Sequence, residues 1–189
     1  MLVVLNRGRG MHLLGNSVHE AIFARARQCT SVKVAECEAE KAIHPIEKAI
    51  WEERRDALML EMAKMRADEC RIKEVARERW DNSTKGSDSE YAWALRYVEL
   101  ANPMLKETIF ECHDLEIALR KYNAADKSDP SAAVWLHRVQ VLKQKAETIK
   151  ANACESADAA AAEFVSNESD SSLAKIWLMR YITLKYQPS

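Results

Sequence analysis

The stretch from Ala42 to Trp80 constrains this chain more than any other. It opens on a repeated tetrapeptide, Glu40-Lys41-Ala42-Ile43 and Glu47-Lys48-Ala49-Ile50, whose copies lie seven residues apart, the coiled-coil period. From there to Trp80 about every third or fourth residue is apolar and most of the others are charged, so the segment predicts one long amphipathic helix. Its acids and bases fall at i,i+3 in Glu52/Arg55, Glu61/Lys64, Asp68/Arg71 and Glu74/Arg77, which predicts ion pairs along a solvated face.

Turn residues are scarce. With 4 Gly and 4 Pro in 189 residues, the chain has few places to reverse and must build long elements. Gly8, Gly10 and Gly15 fall in residues 1–16, which read as an irregular arm with an apolar start at Met1 to Leu5. Ser17 and Glu20 have capping-box spacing for a helix over about 18–43. Pro45 predicts a kink or short break with the helix resuming at the proline, then running over about 46–80. Asp81 to Ser89 is a polar loop, and Ser87 with Glu90 caps a helix over about 88–122 that Asn102-Pro103 kinks. Asn123 to Asp129 is a second loop, closed by Asp129 and Pro130 at the start of a helix over about 130–165. Residues 166–189 form a linker and a last, very apolar helix.

The fold class that follows is all-α: an elongated antiparallel, up-down-up helical bundle or coiled coil over residues 17–165, with extra helices at either end. Trp177 and its neighbours give the last helix more apolar surface than one bundle groove covers. Leu173, Ile176, Trp177, Met179, Tyr181 and Ile182 are therefore the candidate protein interface. Met59, Met62 and Met65 offer an adaptable surface too, but their helical spacing reads as core.

Catalytic and metal chemistry find little support. Cys29, Cys37 and His44 share roughly one helical face, yet lack the close ligand pairs of a zinc site and the Glu-x-x-His of a di-iron bundle. In Glu111-Cys112-His113-Asp114 the side chains of adjacent helical residues diverge by about 100°, so no nucleophile–base pair forms; Cys112 reads as core and its neighbours as solvated. Gly-rich phosphate loops and hydrolase elbows do not occur, so the chain is read as a non-enzyme without cofactor or small-molecule substrate.

Charge selects no polyanionic partner, because 28 basic against 29 acidic side chains leave a net charge of -1. The basic groups Arg77, Arg79, Lys85 and Lys143, Lys145, Lys150 are interleaved with acids or spread along a helix, which makes nucleic acid an unlikely ligand. No apolar run of about 18 residues exists, so no transmembrane segment is expected. Five widely scattered cysteines read as reduced thiols of a cytoplasmic protein. Arg7, Arg9, Arg25 and Arg27, with Glu20 the single acid of the first 35 residues, give the arm a composition similar to a transit peptide. The expected function is a non-enzymatic structural or adaptor protein that self-associates or docks a protein partner through its C-terminal helix. The alternatives are a helical nucleic-acid-binding or regulatory protein and an escort of a secretion or assembly machine.

Overall fold

A computed structural model describes residues 21–167 and 171–185, and these residues are all-helical, without a strand. In chain order the helices are α1 (residues 21–28 of those described), α2 (Val32–Lys41), α3 (Pro45–Asp68), α4 (Lys73–Asp81), α5 (Asp88–Ala101), α6 (Pro103–Glu111), α7 (Leu115–Ala124), α8 (Pro130–Ala153), α9 (Ala157–Ser166) and α10 (Ser171–Lys185). The capping box of Ser17 and Glu20 lies outside the described residues.

The long segments expected from periodicity are divided. Helix 18–43 is interrupted at residues 29–31, helix 46–80 at 69–72, helix 88–122 at 102 and 112–114, and helix 130–165 at 154–156. Four of these interruptions are one motif. Cys29, Cys70, Cys112 and Cys154 each end a helix, and each Sγ donates to the carbonyl oxygen two residues on, at 3.3, 3.2, 3.4 and 3.3 Å. Those next residues, Ser31, Ile72, Asp114 and Ser156, are extended, with φ between -120° and -99°, and start the following helix. Ser31, Asp114 and Ser156 accept the first free amide through their side chains, at 3.4, 2.9 and 3.3 Å; Ile72 has no such group.

An arginine fastens each break. Nε of Arg54, Arg96, Arg138 and Arg180 donates to the carbonyl oxygen of Cys29, Cys70, Cys112 and Cys154 at 2.8, 2.7, 2.7 and 2.8 Å. A helix C-terminus carries unsatisfied carbonyls and partial negative charge, so a guanidinium there satisfies both at once. The residues that serve this arrangement recur at a step of 42: Trp51, Trp93, Trp135 and Trp177, the four arginines three places later, and Leu58, Leu100, Leu142 and Leu184 four places after those. Six residues after each cysteine stands an alanine, Ala35, Ala76, Ala118 or Ala160, and all four are 0 % exposed. The described residues thus repeat one helical unit, each copy of which buries an alanine completely.

Periodicity alone conceals these breaks. Apolar residues continue at steps of three through a break, as in Ala26, Cys29, Val32 and Ala35 or Ile109, Cys112, Leu115 and Ala118, so their spacing reads on as one helix. At Pro45 the helix does restart at the proline. At Pro103 there is a break where a kink was expected: Asn102 adopts φ -154°, ψ 82°, and its Oδ1 accepts from Leu105 N at 3.1 Å. A residue before proline avoids the helical region, and asparagine turns that into a cap. The loops at 82–87 and 125–129 lie within those expected, the first turning on Gly86 at φ +77°.

The chain divides into two compact units. One holds the described residues to Leu58 and those from Glu147, with two apolar clusters. Ile22, Ala26, Ala35, Ala39, Ile50, Trp51 and Leu58 form the first, and Ala151, Ala160 and Trp177 the second. The other runs from Met59 to Ala146 around Trp80, Tyr91, Val98, Ile109, Val134, Trp135, Val139 and Leu142.

Candidate interaction surface

Helix α10 was the expected docking element, and none of its six candidate residues is exposed. Trp177 is 4 % exposed, and its indole Nε1 donates to Glu147 Oε2 at 3.1 Å. Ile176 and Tyr181 pack on the same small cluster, while Met179 and Ile182 pack on the cluster of Ile22 and Trp51. Leu173 is half-buried. Much of the apolar surplus of α10 is thus used within its own unit, because two clusters flank it.

The methionines behave in the opposite way. Met59, Met62 and Met65 are 48, 41 and 55 % exposed, so they are surface and not core. The stripe of buried residues on α3 changes phase between Leu58 and Leu60, two residues and about 200° apart. From Leu60 onward the inward positions are Leu60, Lys64 and Ala67, which places Met62 about 200° from Leu60 and the other two on its flanks. Glu61, Arg66 and Glu69 are exposed around them. In the sequence the two stripes merge into one continuous apolar rhythm, which is why spacing assigned the methionines to the core.

The basic corner is occupied by its own neighbours. Arg77 pairs with Asp81 at 3.2 Å in place of Glu74, donates to the Ser128 carbonyl oxygen at 2.6 Å, and lies 5.0 Å from the Trp80 ring. Lys85 pairs with Glu90 at 3.0 Å and sits 3.9 Å above the same ring. Lys150 pairs with Glu147 at 2.7 Å. Arg55, expected on Glu52, pairs with Asp56 at 2.7 Å.

Glu111-Cys112-His113-Asp114 is architectural. Asp114 Oδ1 caps α7 by accepting from Ile117 N at 2.9 Å, and Cys112 belongs to the repeated break. His113 Nδ1 lies 3.0 Å from Arg138 Nη2; a guanidinium has only donors, so the ring nitrogen accepts. Among the described residues no three His, Cys, Asp or Glu side chains converge as a metal site would need, and no helix is long and apolar enough to cross a membrane.

One cluster escaped sequence reasoning. The rings of Tyr91 and His137 stack with centroids 3.7 Å apart and planes 8° from parallel. Burial pushes the Tyr91 phenol up to about 12, and burial followed by Lys64 and Arg138 pushes His137 down to about 4. Nothing in the local sequence pairs a residue of α5 with one of α8.

Comparisons with protein-family models, with characterised proteins and with solved structures find no match to this chain.

Proposed function

We propose that this protein is a non-enzymatic helical-repeat scaffold that docks a protein partner on the outward face of α3, at Met59, Met62 and Met65. The observation that carries the reading is the exposure of three methionines on one face of α3, in a chain that buries Trp51, Trp80, Trp135 and Trp177. Methionine is unbranched and polarizable, so such a face adapts to an apolar ridge on a partner. The surrounding Glu61, Arg66 and Glu69 suit a partner segment bordered by charges of both signs. Repeats in which each unit supports its neighbour present extended surfaces of this kind.

A photo-crosslinking residue placed at position 62, with Lys121 as the control position, tests the reading in cells. The expected result is a protein adduct of defined mass from position 62 and none from position 121. Absence of any adduct from 59, 62 and 65 overturns it. Nucleic acid is the weaker alternative, because the cations of the 77–85 corner are engaged by Asp81, Glu90 and Trp80; salt-sensitive retention on DNA or RNA would reinstate it.

A further inference from the structure

Three helices bring ionisable groups to the Tyr91–His137 stack. Lys64 of α3 places Nζ 5.5 Å from the Tyr91 ring centroid, Tyr91 comes from α5, and His137 with Arg138 from α8. Arg138 is held by the Cys112 carbonyl oxygen and His113, so it cannot swing away without opening the break between α6 and α7. Among the described residues the charged groups acting on His137 are Lys64 and Arg138, both cations, with no carboxylate to offset them. His137 is half-buried and its stacked partner Tyr91 is 7 % exposed.

We propose that the Tyr91–His137 stack is an acid-sensitive latch that holds α5 against α8 while the imidazole is neutral and releases it when the ring takes a proton. A protonated ring would be a third cation beside Lys64 and Arg138, partly withdrawn from water, and the tight stack leaves no room for solvent on the shared face. The sign follows from His137 being held down to about 4 against its ordinary 6.5. The stabilisation is complete above the ordinary value, is lost as pH falls from about 6.5 toward 4, and is level below that.

Two measurements on the full chain test the latch. In an NMR titration, the His137 ring is expected to stay neutral to about pH 4, with the ring-current-shifted Tyr91 resonances collapsing as it protonates. A His137 titration near its ordinary value, or Tyr91 shifts unmoved by it, overturns the proposal. In denaturant unfolding at pH 7 and pH 4.5, the folded-to-unfolded ratio of the wild type is expected to fall by at least about 10-fold, after allowing for the ring's partial exposure. His137→Phe keeps an aromatic stack that cannot be charged and is expected to remove most of that fall; an equal fall in both proteins overturns the latch. Should His137→Phe not fold, Lys64→Met supplies the comparison: it removes one of the two cations and is expected to raise the His137 titration point, and an unmoved titration point counts against the latch.

Discussion

Arg138 Nε donates to the carbonyl oxygen of Cys112 at 2.7 Å, joining the middle of one helix to the end of another 26 positions back. Arg54, Arg96 and Arg180 make the same bond to the cysteine that precedes each of them. Four copies of one contact, each at a helix end, identify it as the joint of the repeat.

Arg96 is 8 % exposed and also pairs with Glu99 at 2.7 Å, so it is the least replaceable of the four. Arg96→Met leaves the Cys70 carbonyl oxygen without its donor and removes one of the two cations that hold the Glu99 carboxyl below its usual range, Lys106 being the larger influence. Urea unfolding is expected to show a loss of about 2–4 kcal/mol. Arg96→Lys keeps the charge but not the planar fork, and recovers only part of it.

Ala118 is 0 % exposed between α7 and its neighbours, as are its counterparts Ala35, Ala76 and Ala160. Ala118→Leu adds three carbon atoms at a position with no exposed surface. Thermal unfolding is expected to show a destabilisation of about 1–3 kcal/mol or more, whereas Ala118→Gly costs about 1 kcal/mol through helix propensity and lost packing. A neutral Ala118→Leu would mean that the helices do not pack as closely as described.

The Trp177 indole donates to Glu147, whose carboxyl is held below its usual range by Lys150 first and by this indole second. Trp177→Phe keeps most of the apolar contact but loses the donor, and is expected to cost about 1–2 kcal/mol in denaturant unfolding. Glu147→Ala leaves the buried Nε1 unpaired and is expected to cost a similar amount. Tryptophan fluorescence should shift in Glu147→Ala, since the change is at the indole nitrogen; an unshifted spectrum argues against the bond.

The all-helical class was legible from the scarcity of Gly and Pro and from long apolar rhythms, and the starts at Pro45 and Pro130 were read from proline itself. The repeat was equally present in the sequence. Trp-x-x-Arg-x-x-x-Leu stands at Trp51, Trp93, Trp135 and Trp177, and a cysteine 16 residues after each of the first three arginines. A search for identical spacing finds it; a search for apolar spacing does not, because apolar residues continue at steps of three through breaks such as those at Cys29 and Cys112. The candidate site fared worse for a related reason. An apolar residue on a helix reports that some face is covered, not which one, so Met62 and Trp177 exchanged their expected places.

The claim that the outward face of α3 carries a partner is tested most directly by methionine oxidation, which follows solvent exposure. Brief peroxide treatment of the purified protein is expected to oxidise Met59, Met62, Met65 and the 69 % exposed Met104, while half-buried Met179 lags. In gently lysed cells the account predicts that Met59, Met62 and Met65 become protected relative to Met104. Equal oxidation of all four in both preparations would contradict it.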